Sequence, residues 1–198
     1  MEKPFSQACE NNKRPILHVL ERAFANTKRV LEVGSGTGQH AVFFAEHLPH
    51  LHWHCSDQAV NHAGIAAWLM ASSVDNIEPP VSFTVGVDHF PQTAGAGSFD
   101  GVFSANTAHI MQKAEIQSLM SMIAENLPHK GVFCQYGPFT QNGEFSSQSN
   151  LDFHQSLLAR GYGGYRDIDE LKTWAPSLQL QKVHTMPANN LLLEWHKN

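Results

Sequence analysis

A short apolar run, Val30-Leu31-Glu32-Val33, empties into Gly34-Ser35-Gly36-Thr37-Gly38, which has a glycine at every second position. No other stretch of the chain constrains the fold as strongly. A chain leaving a buried parallel strand must reverse sharply to enter the next helix. Residues without Cβ allow the dihedrals and the close backbone approach that such a turn needs. The helix that follows, about 39–48, would aim its N-terminal N–H groups back at the turn. The stretch therefore reads as strand, ligand-approaching loop and helix. The bland alternative is a glycine turn that binds nothing.

The spacing narrows the ligand. The dinucleotide fingerprint is G-x-G-x-x-G, with a phosphate on the helix N-terminus. Here the third glycine, Gly38, comes one place early, and Gln39 carries a side chain. Glu32 is awkward beside a pyrophosphate but suits a cationic ligand end, such as the amino group of a methionine moiety. A Walker loop is excluded, because no Gly-Lys-Ser/Thr occurs. A second strand, 51–57, ends at Asp57, nineteen positions after Gly38. That matches the acidic residue expected about 20 residues on, which can accept hydrogen bonds from both ribose hydroxyls. Its alternative is a helix N-cap. Together these features favour S-adenosyl-L-methionine over a dinucleotide. The predicted contacts are Glu32, Gly34, Ser35, Gly36, Thr37, Gly38 and Asp57.

Composition removes other classes. The 198 residues suffice for one well-filled α/β domain and are short for two. The formal net charge is −5 and no run of Lys or Arg occurs, so neither nucleic acid nor a membrane surface is an expected partner. No apolar run approaches the roughly 20 residues of a membrane span. Met1-Glu2-Lys3-Pro4-Phe5 lacks the apolar core of a signal peptide. Cys9, Cys55 and Cys134 are far apart and odd in number, which suggests reduced thiols and a cytoplasmic location. Among thirteen histidines, His52 and His54 share one strand face while Cys55 takes the other, so no metal site is expected.

The remaining pattern alternates helices and strands. Helices are predicted over 15–25, with Pro15 in the first turn, and over 60–72 and 114–127. Strands are predicted over 29–33, 81–87 (ending at Asp88), 99–104 and 131–136. Residues 91–98, with Gly95 and Gly97, read as a flexible connection, and 138–149 as a candidate mobile lid. A capping box at Ser149-Asn150-Leu151-Asp152 begins a helix to Arg160, and one at Asp167 begins a helix to about Ala175. Strands 178–185 and 190–195 flank a short turn and must be antiparallel.

The fold class is therefore α/β: a Rossmann-like, doubly wound sheet of seven mostly parallel strands, with a C-terminal antiparallel hairpin and helices on both faces. Ligands of such sheets sit beyond the carboxyl ends of the strands. That adds Asp88, placed for an adenine amino group or as a plain turn residue, and Asn106, a cofactor anchor or a turn asparagine.

The order of these strand-end motifs resembles a class I S-adenosylmethionine-dependent methyltransferase, and more narrowly the methyltransferase-like 26 family. The residues that carry the likeness begin with Asn12-Lys13-Arg14-Pro15-Ile16-Leu17, Gly34 to Ala41 and Ser56-Asp57. They continue with Asn106-Thr107-Ala108-His109-Ile110, Tyr136-Gly137-Pro138-Phe139, Ser149-Asn150, Arg166-Asp167 and Met186-Pro187-Ala188-Asn189-Asn190. The sequence departs from the family pattern at Asn11 and at Asp88-His89-Phe90-Pro91. The resemblance implies one domain over 1–198, with residues 1–28 a helical segment over the cofactor site, but it implies no substrate.

The chemistry then asks for alignment of an acceptor with a methyl donor, and for a base if the acceptor holds its proton tightly. His109 is the candidate base, against the alternative of a loop-fixing histidine. Tyr136 is the candidate for orienting the acceptor or facing the sulfonium, against a core role. Arg166 would bind an acidic substrate or be an ordinary surface residue. The expectation is methyl transfer to a small molecule. The alternatives are a cofactor-binding sensor without catalysis and, less well matched to the loop, a nicotinamide oxidoreductase.

Overall fold

Nine strands follow one another along the described residues: β1 (Arg29–Val33), β2 (His52–Asp57), β3 (Ile77–Ser82), β4 (Gly101–Ala105), β5 (Val132–Gly137), β6 (Phe139–Thr140), β7 (Arg166–Asp167), β8 (Leu178–Met186) and β9 (Asn190–Lys197). They come from a computed structural model that describes residues 3–93 and 97–198. Seven of them form one sheet in the order β3-β2-β1-β4-β5-β9-β8, and β6 and β7 pair separately. β1 to β5 run parallel, whereas β9 is antiparallel to both β5 and β8. The predicted parallel sheet with an antiparallel hairpin is thus observed.

The helices are α1 (Gln7–Ala23), α2 (Gln39–His47), α3 (His62–Met70), α4 (Lys113–Asn126), α5 (Gln148–Ala159) and α6 (Ile168–Trp174). Strand alternation sends neighbouring residues to opposite faces. Val30, Trp53, Phe103 and Cys134 pack with Ile16, Leu20 and Phe44 of α1 and α2. Leu31, Val102 and Phe133 pack on the other face with Ile116, Leu119 and Ile123 of α4 and Leu171 of α6. Both faces are therefore covered by helices, as a largely parallel sheet requires. Among the described residues no helix is long and apolar enough to cross a membrane.

Several expectations need correction. α1 begins at Gln7, not Pro15, with Ser6 as its N-cap accepting from Cys9 N. Pro15 lies inside the helix, where it removes one N–H. The carbonyl left unpaired, four residues earlier, belongs to Asn11, which is exposed. β3 is Ile77–Ser82 and contains Pro79 and Pro80, while the predicted strand 81–87 mostly lies beyond it. An edge strand tolerates prolines because one row of its N–H groups has no partner. α5 is capped by Ser147, whose side chain accepts from Asn150 N, and not by Ser149. The proposed lid is built into the fold: Phe139 and Thr140 are buried and pair with Arg166 and Asp167, and Gln141 bridges Glu144. Of the predicted connection 91–98, Gly95 lies outside the described residues.

Candidate functional site

The glycine loop is held from below. Gly34 N and Ser35 N both donate to Ser56 O at 3.0 Å, and Gly38 N donates to Ser35 O at 2.9 Å. Gly34 has φ +76°, and a Cβ there would lie 2.5 Å from Thr107 Cγ2. Only glycine lets the loop pass this close to the segment after β4. At the end of β2, Asp57 gathers the loop. Its Oδ2 accepts from Gly36 N, and its Oδ1 accepts from Gln58 N and Asn61 Nδ2, all at 2.7 Å. A carboxylate has about four acceptor sites, so roughly one remains open.

Two clefts meet at this loop. One, of about 550 Å³, extends over Asp57, Asn61, Phe83, Thr84 and Val85. The other, of about 680 Å³, extends over Asn12, His109, Tyr136, Phe153 and Tyr165. They share Gly34, Gly36, Ala105, Asn106 and Ile110. An elongated ligand crossing the loop would therefore have one end among Asp57 and apolar groups, and the other among amides and aromatic rings. α1 supplies Ala8, Cys9, Asn11 and Asn12 to the second cleft. Its entry is pinned beside the loop: Ser6 N donates to Gln39 Oε1 at 2.5 Å, and Trp68 Nε1 donates to Pro4 O at 2.7 Å.

Glu32 lies beneath the loop, only 2 % exposed, where its Oε2 accepts from Trp53 Nε1 at 3.1 Å. Burial pushes its carboxyl up to about 7, against bonds from Trp53 and Ser35 that lower it. Burial, and then the nearby Glu32, push the Cys9 thiol up, but Glu32 itself lines neither cleft. Because the folded value exceeds the ordinary 4.5, the folded chain holds this proton more firmly than the unfolded chain. Stability should therefore fall as pH rises through 4.5 to 7, by on the order of 3 kcal/mol at most. Glu32→Gln should melt several degrees above the parent at pH 8 and with it at pH 4. An equal gain at both pH values would contradict the assignment.

His109, Tyr136 and Asn106 converge on the second cleft. Asn106 takes φ 58°, and its N donates to Tyr136 O at 2.9 Å. His109 is 6 % exposed, and its Nδ1 is buried without a hydrogen-bond partner. Burial, and then the charge of Arg160, holds its imidazole down to about 4, so it is neutral at pH 7. Its Nδ1 therefore does not fix it in the loop. Tyr136 is buried, which pushes its phenol up, against a smaller lowering by Asn12. Asn12 Oδ1 in turn meets His40 Nε2 at 2.6 Å.

Other predicted groups behave differently. Asp88 lines neither cleft: its Oδ2 accepts from Thr84 N at 2.7 Å, the turn alternative. Arg166 is neither a substrate clamp nor a surface residue. It is 8 % exposed and donates to the carbonyls of Gly163 and Gly164. Sequence reasoning about roles missed Asn12, His40, Asn150, Phe153 and Tyr165. His40 follows the loop directly in α2, whereas the others come from α1, α5 and the approach to β7, which no local spacing links to the loop.

A family model described as "Protein of unknown function (DUF938)" matches residues 3–197. Among solved structures, an O-methyltransferase family 2 protein from Planctomyces limnophilus in complex with apigenin superposes with a TM-score of 0.81 at 17 % identity. The match covers 96 % of this chain and 58 % of that one. Human N-acetylserotonin methyltransferase in complex with S-adenosylmethionine gives 0.80 at 13 % identity, over 97 % and 53 %. A methyltransferase of calicheamicin biosynthesis in its S-adenosylhomocysteine-bound form gives 0.72 at 18 % identity, over 94 % and 54 %. The chain thus spans little more than half the length of these structures, and the likeness is one of fold.

Proposed function

The chain belongs to the DUF938 family, and from that premise we propose that it transfers a methyl group from S-adenosyl-L-methionine to a small-molecule acceptor. The observation that carries this reading is the pair of clefts joined across Gly34 and Gly36, with Asp57 at one side and the unpartnered His109 at the other. The ligands named for the similar folds, S-adenosylmethionine and S-adenosylhomocysteine, fit that shape. The narrower likeness to the methyltransferase-like 26 family rests on Tyr136 to Phe139 and Met186 to Asn190, of which Tyr136, Pro138, Pro187, Ala188 and Asn190 line the second cleft. Three free cysteines support a cytoplasmic setting in this reading.

When bound, the cofactor supplies an electrophilic methyl group on a sulfonium. The chain's own residues do the rest. Asp57 would receive one ribose hydroxyl directly, not two, because three of its acceptor sites are already filled. Phe83 and Val85 would cover the nucleoside ring, and Glu32, with its carboxyl raised to about 7, would give up its proton when the ammonium end arrives above it. Tyr136 and Asn106 would frame the reacting atoms, where alignment supplies most of the rate. Neutral His109 would take the acceptor's proton and pass it to water. With its imidazole held near 4 it is a weak base, so its share falls at the low end of general-base effects.

His109→Ala should lower methyl release from labelled cofactor into a metabolite extract by about a hundredfold, with affinity for S-adenosylhomocysteine within twofold of the parent. The second reading is a sensor that binds the donor without transferring methyl. It is favoured by the lack of any orienting partner at His109 Nδ1. Cofactor binding with no methyl release from parent or variant would select it.

A further inference from the structure

The second cleft describes the acceptor as well as the donor. Its wall carries no Asp, Glu, Lys or Arg among the described residues. Away from the glycine loop and α1 its lining includes His109, Pro138, Asn150, Phe153, Tyr165 and Pro187. Phe153 stands edge-on to His109 at 5.8 Å and to Tyr165 at 6.2 Å. Even so, Phe153 is 41 % exposed, as is Ile110 on the rim, whereas Tyr165 is 6 % exposed. The cleft thus presents an uncovered ring backed by other rings. Asn150, also 6 % exposed, spends both hydrogens of its Nδ2 on Ser146 Oγ and Asn189 O. Asn190 Nδ2 is likewise turned to Pro187 O and Ala188 O. Their amide oxygens are what remains for a ligand, and an oxygen requires a donor.

We propose that the acceptor is an uncharged aromatic compound bearing a hydroxyl or ring N–H. Its ring would lie on Phe153, its donor would face the carboxamide oxygens, and its reacting atom would sit beside His109. A charged acceptor would find no side chain of opposite charge on this wall, whereas the donor's own charges would lie toward the glycine loop. A planar ring also gains a stacking contribution that an aliphatic ring lacks.

This rests on the methyl-transfer reading for the reaction but not for the binding, and calorimetry separates the two. The intact protein, saturated with S-adenosylhomocysteine, is titrated with 2-naphthol, its saturated analogue decahydro-2-naphthol, and 6-hydroxy-2-naphthoic acid. The 2-naphthol should bind at least tenfold more tightly than either. Phe153→Ala should weaken it at least fivefold with the S-adenosylhomocysteine affinity kept, and Phe153→Lys should reverse the preference toward the carboxylate. Phe153 is partly exposed, so both variants should fold. Equal or tighter binding of the carboxylate or the saturated ring overturns the proposal, as does a donor-loaded protein that ignores 2-naphthol. If S-adenosylhomocysteine itself fails to bind, the methyl-transfer reading falls. The same titration of the bare protein then still confirms or overturns the acceptor class.

Discussion

Replacing Asp57 by alanine should lower the affinity for S-adenosylhomocysteine by about a thousandfold, the largest binding loss expected of any single substitution here. The carboxylate has two tasks. It holds Gly36 N in place and fixes Asn61 through its other oxygen, and it offers the remaining acceptor site to the ligand. Hydrogen bonds to a charged group contribute about 1.5–3 kcal/mol each; the one ribose bond, together with the bond that holds Gly36 N and with it the receiving shape of the loop, accounts for a loss of that order. Asp57→Asn keeps one acceptor but turns a donor toward the loop, so it should fall between the two. Calorimetric titration reads the affinity, and a melting curve checks that the sheet is intact. An alanine variant that binds within threefold of the parent would mean that the loop does not hold the donor.

The second large effect is on stability. A Cβ at Gly163 would lie 1.9 Å from Met111 O, a backbone atom that cannot turn aside. The stretch 161–164 is laced to 109–112: Gly164 N donates to His109 O at 3.0 Å, and Gln112 Nε2 donates to Gly161 O at 2.8 Å. Arg166 braces it by donating to two of its carbonyls. Gly163→Ala must push these segments apart, at a cost of about 3 kcal/mol or more, which lowers Tm by roughly 10 °C for a chain of this size. Cofactor affinity should fall with it, because His109, Ile110 and Met111 border the clefts. Gly161→Ala is the control. It has φ +82° but nothing within 4 Å, so it should cost only about 1–2 kcal/mol of backbone strain. Equal melting of the two variants would show that the close approach is unimportant.

These two sites differ in how far the sequence alone reveals them. The route from Val30 to Asp57 was legible because strand, turn chemistry and the acidic residue are consecutive and each has a local cause. α4 was legible from its apolar spacing and α6 from its Asp167 cap, which the structure reproduces. β3 was misread because its prolines mark a loop by local rules, whereas only its place at the sheet edge makes them tolerable. The start of α1 was misread for a related reason. Gln7 to Arg14 is polar, and its helix is fixed by packing on α2 and by the Ser6 cap, not by an apolar stripe. The donor side of the site is local, but the acceptor side is assembled by tertiary structure. Phe153 and Tyr165 lie more than a hundred residues after Gly34 and meet its cleft only once α5 and β7 are docked.

The order of the sheet also bears on how the chain is made. β8 leaves the ribosome before β9, yet it reaches the sheet only through β9, which lies between it and β5. A domain generally folds as a unit, so this sheet must wait for the last strand to be made. Until then the β5 edge is open and β8 has nothing to attach to. β8 bears the wait well, since Gln179, Gln181 and Lys182 are exposed even in the finished fold. The β5 edge does not, because Phe133 is fully buried and needs the Leu193 and Trp195 layer beside it. A nascent chain stopped before Asn190 would therefore lack the cover of the β5 edge and present apolar surface to chaperones, with the second cleft still without a wall at Asn190.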